Sequence, residues 1–499
     1  MKVKKKTFIK NIFKKKNFSE ILNYVAVTYP DDFFLVKDNI FLTFRNFNFK
    51  VNQTCNFLKK KKIKKKSVIS LYLENSLEFV ILYFAIIRLG CIVSPIPYGV
   101  SKEKINYYLK ISKSHLLISN KKLINKNNFV IRDYTHFDSL IKKSDIKFRD
   151  EIKNDKLDCV YYFSSGTTAN PKVIRYSHNA MVICQKLLYK SNFLDLFTRH
   201  LCILPLGHTA SLRYTIKNAI FCAGRVYLQK NFWEIKDKFW KIIKNRKIQF
   251  VGVVPSIVEA IYALYKSSSP CVKKNIKFLG CGSSILRNDL QKKFFKKFNI
   301  NIRNIYGMSE IGVATMDDPG KHKIFGTIGK PLKGIRIKLL DQKNREIKKN
   351  DYIGEIAVKT PSLFNGYLDS SGKKTKVVKE KYFKTGDLAK RRNGNFIFVD
   401  RSKDIIVKGG VNISPQEIDD CLMSNRFIKE SKTIGVKDKF FGEKIKSFIV
   451  LCEKSKLTKF KIIEFCKKKI GNFRSPNEVI FLDKLPKTPS GKVVNRLLE

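Results

Sequence analysis

Residues 67–97, SVISLYLENSLEFVILYFAIIRLGCIVSPIP, hold the clearest indication of the fold class. The run SVISLYLE at the start is short, apolar and rich in β-forming residues, which favours a strand, and SLEFVILYFAIIRLG (76–90) favours a helix. The longest apolar part, FVILYFAIIRLGCIVSPIP (79–97), is interrupted by Arg88, Gly90 and two prolines. It therefore predicts a buried helix followed by a strand, and not a membrane span.

The same alternation of strands and helices recurs further along the chain. RHLCILPL, IQFVGVVP and NIKFLGCG each precede a helical stretch, which predicts parallel sheets covered by helices. After about residue 325 short strands and turns prevail, as in GIRIKLLD, GEIAVKT and NFIFVD, and a small α+β region follows. We therefore predict an α/β fold: a large N-terminal domain (1–400) of α/β subdomains plus a β-rich subdomain (about 325–400), and a small α+β C-terminal domain (401–499).

The charge of the chain is strongly positive. Its 499 residues include 100 Lys and Arg against 42 Asp and Glu, a formal net charge of +58. Such a charge would suit nucleic acid or an anionic membrane as a partner. The lysines are spread along the chain instead of forming one basic arm, and no nucleic-acid-binding module is recognisable. Because AT-rich coding explains this composition, we predict no specific nucleic-acid partner.

The cysteines and the N-terminus favour a reducing compartment. The 11 cysteines include no C-x-x-C pair and no Cys/His zinc spacing, and many lie in apolar runs such as AIFCAG. The N-terminal MKVKKKTFIKNIFKKKNF is basic but lacks the apolar region of a signal peptide. We therefore expect buried, reduced thiols in a cytoplasmic protein without a transmembrane segment.

The stretch FSSGTTANPKV (163–173) is dense in hydroxyls and backbone amides and ends with a proline, a lysine and a valine. Hydroxyls, N–H groups and an ammonium all bind phosphate oxygens. The stretch is not the common phosphate loop G-x-x-x-x-G-K-[ST], because Lys172 lies six residues after Gly166 with no second glycine before it. Alone, it is equally compatible with an ordinary polar turn.

Further glycine-containing segments follow this stretch. They are YGMSEIG (306–312), GTIGKP (326–331), GEIAVKTPSLFNGY (354–367), KTGDLAK (384–390), DRSKDIIVKGGVNISPQEID (400–419) and LPKTPSGKVVNR (485–496). Each is a weak signal alone. Together, in this order and spacing, they resemble the adenylate-forming superfamily of acyl-CoA synthetases, peptide-synthetase adenylation domains and luciferases. The resemblance extends from FLTFRNF (41–47) to GKVVNR.

This resemblance implies an enzyme that activates a carboxylic acid with ATP. The carboxylate attacks the α-phosphate, acyl-AMP forms, pyrophosphate leaves, and the acyl group then passes to a thiol. Catalysis of such a reaction is mostly positioning and electrostatic stabilisation. The implied cofactors are ATP, Mg²⁺ and CoA, or the phosphopantetheine of a carrier protein.

The resemblance also implies roles for residues at matching positions. Lys492 would be the catalytic lysine that bridges the carboxylate and the α-phosphate. Glu310 would bind Mg²⁺, and His208 would lie beside the acyl pocket. Asp387 would accept from the ribose hydroxyls, with Arg401 alongside. The positions for the β- and γ-phosphates are Ser164, Ser165, Gly166, Thr167, Thr168 and Lys172, with Thr168 also near the metal. The other nucleotide-binding positions are Gly282, Tyr306 against adenine, Gly307, and Ser309 at the α-phosphate.

The C-terminal domain would act as a mobile lid. Lys403 falls at the family's hinge position, where Asp or Lys is usual. The lid would first deliver Lys492 for adenylation. It would then rotate so that Gly409 and Gly410 help to admit the thiol.

Two residues of the hydroxyl-rich stretch depart from the family pattern TTGxPKG. Ala169 and Val173 stand where glycine is preferred. Because glycine permits positive φ and close backbone approach, we expect both to stiffen the loop, which would be compatible with a slower enzyme. GCGSSIL (280–286) replaces the usual GGAPL, and we expect tolerance there because that segment meets adenine largely through its backbone.

The acid is expected to lack an α-amino group. Amino-acid-activating members place an Asp just after the position of His208, whereas this chain has Thr209 there. An uncharged site would leave a buried ammonium unpaired. Aliphatic and aromatic acids both stay open.

The first hypothesis is an acyl-CoA synthetase, and the alternative is a ligase that loads a stand-alone carrier protein. Further alternatives are a basic nucleic-acid- or membrane-binding protein on this scaffold and an inactive relative.

Overall fold

The computed structural model describes residues 2–124, 127–164, 171–267, 270–318, 324–369, 371–375, 377–378, 381–453, 455–487 and 493–498. The chain forms two compact units. The first comprises Met1–Phe325, Pro331–Ile335 and Lys359–Lys381, and the second comprises Gly326–Lys330, Arg336–Val358 and Tyr382–Glu499. The domain boundary near residue 400 stays a prediction.

Helices occur in both units. They are α1 (Lys2–Ile12), α2 (Phe18–Thr28), α3 (Phe44–Lys60), α4 (Leu77–Arg88), α5 (Lys102–Ser112), α6 (Tyr134–Ile141), α7 (His178–Lys190), α8 (Thr209–Ser211), α9 (Lys217–Phe221), α10 (Phe239–Asn245), α11 (Pro255–Leu264), α12 (Pro270–Asn275), α13 (Asn288–Phe298), α14 (Pro415–Met423) and α15 (Lys459–Ile470). A π-helical turn, Leu212–Ile216, joins α8 to α9. Short 3-10 turns are Lys236–Lys238, Ser402–Asp404 and Asn495–Leu497.

Strands of the N-terminal half are β1 (Phe33–Lys37), β2 (Ile40–Thr43), β3 (Val68–Tyr72), β4 (Ile92–Pro95), β5 (Ser114–Ser119), β6 (Asn128–Val130), β7 (Asp158–Phe163), β8 (Val173–Ser177), β9 (Arg199–Cys202), β10 (Arg225–Leu228), β11 (Phe250–Val253) and β12 (Phe278–Cys281). Those that follow are β13 (Ile302–Met308), β14 (Gly312–Met316), β15 (Lys330–Pro331), β16 (Arg336–Leu340), β17 (Gly354–Lys359), β18 (Tyr367–Leu368), β19 (Phe383–Arg392), β20 (Asn395–Arg401), β21 (Ile406–Lys408), β22 (Val411–Ile413), β23 (Ile428–Asp438), β24 (Gly442–Leu451) and β25 (Glu478–Phe481).

Two large sheets form the first unit. In one, the strands run in the order β14-β13-β12-β11-β9-β10-β1-β2, and in the other the order is β18-β8-β7-β4-β3-β5-β6. Most of the interior pairings are parallel, as the sequence predicts. The hairpins β1–β2, β13–β14 and β7–β8 are antiparallel, because strands joined by a short connection pair only in that way.

The strand–helix–strand prediction for residues 67–97 is confirmed. β3 and β4 are parallel neighbours, and α4 between them is buried along its whole length. Ser76 begins the helix, since its Oγ accepts a hydrogen bond from the Phe79 backbone N–H (3.3 Å). Gly90, with φ +68°, allows the chain to turn into β4. A helix that is apolar on every face is stable here because protein surrounds it.

The second unit contains the predicted β-rich and α+β parts. One sheet has the order β16-β17-β19-β20, and another has the order β22-β21-β24-β23, with β25 pairing in parallel with β24. In the second sheet a core forms between strand β24 and helices α14 and α15. Its buried side chains include Ile418, Leu422, Ile445, Ile449 and Ile462.

The cysteines agree with the expectation of reduced thiols. All ten cysteines in the described parts of the chain are free, and nine of them are buried. Across the described residues, no helix combines the length and apolar character that crossing a membrane requires.

Candidate active site

The stretch FSSGTTANPKV connects the two strands of the β7–β8 hairpin. Phe163 pairs with Val173 at the end of the antiparallel ladder. Beyond this pair, the Ser164 backbone N–H donates to the Lys172 carbonyl (2.9 Å), and the Lys172 backbone N–H donates to Ser164 Oγ (2.9 Å). Ser165, Gly166, Thr167, Thr168 and Ala169 lie outside the described residues. The base of the loop is thus closed by hydrogen bonds.

Val173 belongs to strand β8 and not to the loop. Its side chain is fully buried in a cluster that includes Tyr108, Tyr161 and Leu368. It also pairs with Leu368 of β18 across the sheet. Since β-branched residues suit such a strand position, this valine stiffens the strand next to the loop and fills the core.

A cation, a phenol and a carboxylate follow one another beside the base of this loop. Lys172 Nζ lies 5.3 Å from the centroid of the Tyr367 ring, and the Tyr367 hydroxyl donates to Glu310 Oε1 (3.0 Å). Glu310 is buried. Burial and the Glu310 carboxylate raise the pKa of Tyr367, so its hydroxyl stays protonated as a donor. The structure therefore places Lys172 and Glu310 beside the same tyrosine side chain.

Glu310 is held in the tight turn between β13 and β14. Its backbone carbonyl accepts hydrogen bonds from the Tyr176 hydroxyl (3.1 Å) and the Phe364 backbone N–H (2.9 Å). Just before the turn, a Cβ at Gly307 would lie 2.1 Å from the Gly312 carbonyl oxygen. The hairpin that presents Glu310 therefore requires glycine at position 307.

Tyr306 and Ser309 lie in the same hairpin segment. Tyr306 is buried and pairs with Thr315 of β14. Ser309 Oγ lies 3.4 Å from Thr209 Oγ1, so either hydroxyl can donate to the other. This contact joins the hairpin to the residue that follows His208.

His208 immediately precedes the helical run that Thr209 opens. Its backbone N–H donates to the Pro205 carbonyl (3.2 Å). A Cβ at Gly207 would lie 2.7 Å from Pro97 Cα, so the chain approaches its neighbour closely here. Burial lowers the pKa of His208 to about 4, and its Nε2 has no hydrogen-bond partner in the described part of the chain. A neutral imidazole suits the wall of an acyl pocket.

Gly282 follows β12, at the carboxyl end of its sheet. Its backbone N–H donates to the Val253 carbonyl (3.4 Å), and a Cβ here would lie 2.9 Å from the Ile305 carbonyl oxygen. Only glycine fits between these backbones without a shift. Ligands of open α/β sheets bind outside the carboxyl ends of the strands, so the position suits a nucleotide.

In the second unit, Asp387 and Arg401 face each other across β19 and β20. They form a register pair, with Arg401 Nε 3.5 Å from Asp387 Oδ1. Asp387 is buried, whereas 36% of the Arg401 side chain is exposed. Gly386 has φ +74°, and its N–H donates to Glu355 Oε1 (3.0 Å). The structure thus brings these two charged groups together.

The other predicted residues of the second unit lie further along the chain. Lys403 is in the 3-10 turn Ser402–Asp404, directly after β20. Gly409 and Gly410 form the turn between β21 and β22, with φ values of +53° and +77°. Glycine adopts two such values in succession most readily. Lys492 lies outside the described residues.

Sequence reasoning missed three residues of the first unit. Tyr367, the last residue of GEIAVKTPSLFNGY, carries the hydrogen bond to Glu310. Arg213 and Lys217 are buried on the helical run after His208. The available signal was the presence of two cations four residues apart in the otherwise uncharged segment ASLRYTIKNAIF.

Two family models match most of the chain. Residues 22–368 match the AMP-binding enzyme family, and residues 417–492 match the AMP-binding enzyme C-terminal domain. The chain belongs to the AMP-binding enzyme family. The resemblance to adenylate-forming enzymes is therefore confirmed, and the chain is an enzyme that activates an acid as its acyl-AMP.

Three similar proteins illustrate the match. The oxalate–CoA ligase of Arabidopsis thaliana is 25% identical over 462 residues, which cover 87% of this chain and 88% of the relative. The sulfoacetate–CoA ligase of Cupriavidus necator is 27% identical over 336 residues, 66% of this chain and 64% of the relative. The structure of ATP-bound MatB from Rhodopseudomonas palustris matches with a TM-score of 0.87 at 20% identity, over 97% of this chain and 98% of that one. The structural likeness confirms the α/β fold, and the family match with its CoA ligase relatives identifies an acid–thiol ligase.

Proposed function

We propose that this enzyme uses ATP and Mg²⁺ to join a small carboxylic acid to the thiol of CoA. One observation carries the proposal: Lys172 and the buried Glu310 lie beside the Tyr367 side chain at the base of the hydroxyl-rich loop. A cation for phosphate oxygens and a carboxylate for a metal are thus close together. Oxalate and sulfoacetate, in the names of two relatives, are both small acids, which supports the size of the substrate.

In the first step, a carboxylate oxygen of the acid attacks the α-phosphorus of ATP. The bond to the β-phosphate oxygen breaks, and pyrophosphate leaves. Ser164, Lys172 and the loop residues Ser165, Gly166, Thr167 and Thr168 would bind the β- and γ-phosphates. Ser309 and Lys492 would bind oxygens of the α-phosphate. These groups position two anions against each other and stabilise the charge that develops.

The residues present fit a nucleotide-bound Mg²⁺. In the described part of the chain, no three His, Cys, Asp or Glu residues form a metal cage. Mg²⁺ in nucleotide sites needs only one or two protein oxygens, because phosphates and waters supply the rest. Glu310, oriented by the Tyr367 hydroxyl, and Thr168 would provide these oxygens. The metal neutralises phosphate charge when it is bound.

The predicted residues of the second unit would serve nucleotide binding and the thiol step. Asp387 would accept hydrogen bonds from the ribose hydroxyls, with Arg401 beside it. After adenylation, motion at Lys403 would withdraw Lys492 and bring in the turn Gly409–Gly410 for the thiol step. The thiolate sulfur of CoA would then attack the acyl carbonyl carbon, and AMP would leave as the C–O bond breaks.

Pyrophosphate release from ATP and Mg²⁺ across a panel of carboxylic acids tests the proposal. Lys492→Ala is expected to lower acid-dependent release about 100-fold or more, since a lost transition-state donor costs on that order. Lys484→Ala is the matched control, because Lys484 is an exposed lysine of the same region. CoA and a holo carrier protein are offered in parallel, and thioester formed only on the carrier would contradict the CoA assignment. Folded protein that binds ATP but releases no pyrophosphate with any acid would contradict the activity.

A further inference from the structure

Two cations are buried side by side in the first unit. Arg213 lies in the π-helical turn Leu212–Ile216, and Lys217 begins α9. The two side chains are only 6% and 3% exposed. Residues four apart on a helix share one face, and the charge of Arg213 acts directly on Lys217. π-helical turns occur frequently at functional sites.

The groups that contact or act on these two cations are phenols, a thioether and thiols. Lys217 Nζ lies 3.3 Å from the Tyr162 hydroxyl oxygen and 3.5 Å from Met181 Sδ. Arg213 interacts electrostatically with the phenols of Tyr162, Tyr176 and Tyr214 and with the thiol of Cys184. In the described parts of the chain, no carboxylate forms an ion pair with Arg213 or Lys217. A buried charge without an opposite charge is strongly unfavourable.

Lys217 can relieve this conflict by losing its proton, whereas Arg213 cannot. Burial and the neighbouring Arg213 lower the pKa of Lys217 to about 7. An arginine guanidinium stays protonated in proteins. The site therefore keeps at least one positive charge at neutral pH and takes a second when an anion enters.

Arg213 is linked through neighbouring residues to the hairpin that is proposed to bind the reacting end of the substrate. Its neighbour Tyr176 donates its hydroxyl to the Glu310 backbone carbonyl (3.1 Å). Four residues before Arg213, Thr209 Oγ1 lies 3.4 Å from Ser309 Oγ. Ser309 and Glu310 are the proposed positions of the α-phosphate and the metal. The cation thus lies one tyrosine away from the hairpin where the acid would be adenylated.

We propose that Arg213, with Lys217 beside it, binds a second acidic group at the far end of the acid, so that the substrate is a short dianion. This inference rests on the proposed function. A guanidinium binds a carboxylate or a sulfonate through two parallel hydrogen bonds. The chemical class is a dicarboxylic or sulfonated carboxylic acid whose first carboxylate reacts with ATP.

Two other buried arginines of the same unit have partners of a different kind. Arg175 forms an ion pair with Asp158 (2.9 Å), and Arg88 Nε donates to Ser19 Oγ (2.7 Å) while its Nη1 donates to Asn52 Oδ1. Arg175 is thus held by a carboxylate of the protein itself, and Arg88 by a hydroxyl and an amide oxygen, although Arg88 Nη2 has no hydrogen-bond partner in the described part of the chain. Around Arg213 the protein provides phenols and a second cation instead, which favours an anion from outside the chain.

Matched pairs of acids test the inference through pyrophosphate release. Propanoate is compared with malonate, butanoate with succinate, and malonate with sulfoacetate to separate carboxylate from sulfonate. In the wild type, kcat/KM for the preferred dianion is expected to exceed that of its matched monoacid about 100-fold. Arg213→Met is expected to reduce this ratio to about 3 or less, mainly through KM, and Arg213→Lys to restore part of it. Arg88→Met, the matched buried arginine, is expected to keep the wild-type ratio.

Binding without turnover separates this inference from the proposed function. Malonate and succinate are expected to raise the Tm of the wild type and of Arg88→Met, but not that of Arg213→Met. Pyrophosphate release with monoacids preferred, or an unchanged ratio in Arg213→Met, would overturn the anion site and leave the activity standing. A Tm rise that depends on Arg213 without pyrophosphate release from any acid would uphold the anion site and overturn the activity. If no acid causes pyrophosphate release or a Tm rise, both the anion site and the activity are overturned.

Discussion

Arg175 and Arg213 are two buried arginines of the same unit with opposite surroundings. Arg175 donates from Nε to Asp158 Oδ2 (2.9 Å) and from Nη1 to the Thr375 carbonyl (3.0 Å). Asn365 Nδ2 also donates to Asp158 Oδ1 (2.8 Å). Arg213 has phenols, a thiol and Lys217 around it. The protein satisfies the charge of Arg175 by itself.

This difference separates a structural charge from a charge kept for a ligand. Burial by itself would raise the pKa of Asp158, but hydrogen bonds from Arg175 and Asn365 hold it below its ordinary value. Both partners of the pair are therefore charged and fixed when the protein folds. A cation that lacks such a partner costs stability until an anion arrives. The same substitution should thus have opposite effects at the two sites.

The largest effect on stability is expected for Arg175→Met. The variant leaves Asp158 buried without its main partner, and such a loss costs about 3–5 kcal/mol in the free energy of unfolding. Lys374 lies 3.3 Å from Asp158 but is more than half exposed, so it compensates little. Urea unfolding measures the change. The double variant Arg175→Met/Asp158→Asn should recover part of the loss, and a loss below about 1 kcal/mol in the single variant would contradict the structural role.

Arg213→Met is expected to stabilise the protein in the absence of substrate. Removing a buried cation that lacks an opposite charge relieves its desolvation, and we expect a gain of about 1–2 kcal/mol in the free energy of unfolding. Urea unfolding without any acid present checks this value. Destabilisation by more than about 1 kcal/mol would show that the fold itself depends on the Arg213 charge, and would remove the contrast with Arg175.

The pH dependence of stability is expected to change in Lys217→Met. The pKa of Lys217 is about 7 in the folded protein against an ordinary 10.5, through burial and Arg213, while the thiols of Cys184 and Cys159 act in the opposite direction. Between about pH 7 and 10.5 only the unfolded state binds this proton, so the contribution of Lys217 to stability rises with pH. The stability of the variant should therefore exceed that of the wild type most at pH 7 and below, and this difference in stability should narrow towards pH 10. Tm values of both proteins across this range measure it, and a constant gap would contradict the low pKa.

Arg401→Met is expected to have the smallest effect on stability. Its pair with Asp387 spans 3.5 Å and Arg401 is partly exposed, so we expect a change below about 1 kcal/mol in the free energy of unfolding. The KM for ATP should nevertheless rise, because Asp387 and Arg401 are proposed to hold the nucleotide. Urea unfolding and ATP titration separate the two effects. A large stability loss with an unchanged KM would place Arg401 with Arg175 among the structural arginines.

Periodicity and ordered motifs predicted much of the fold. The apolar runs at 67–97 form a strand, a helix and a strand in the structure. Every residue of α4 is buried, so this helix has no polar face and needs no amphipathic pattern. The strands predicted at GIRIKLLD, GEIAVKT and NFIFVD are likewise present. The antiparallel hairpin around the hydroxyl-rich loop was not anticipated. Its two strands are short, and the hydroxyl-rich segment between them gives no clear sign of the pairing.

The site was predicted in part. Asp387 and Arg401 come together because they are register partners on adjacent strands, which ordered motifs reflect well. Tyr367 was missed because it reaches Glu310 across 57 residues of sequence. No local pattern encodes a contact between such distant segments. Lys492 and most of the phosphate loop stay predictions.

The sequence by itself determined the family, the α/β alternation and the order of the nucleotide-binding segments, since these depend on local residue types and their spacing. Only the tertiary structure decided which buried charges are paired. In sequence, Arg175 and Arg213 are two arginines next to tyrosines. Packing places Asp158 against the first, whereas it places Lys217 beside the second. Electrostatic interactions depend on distance in space, so the sequence could not reveal which buried charge lacks a partner within the protein.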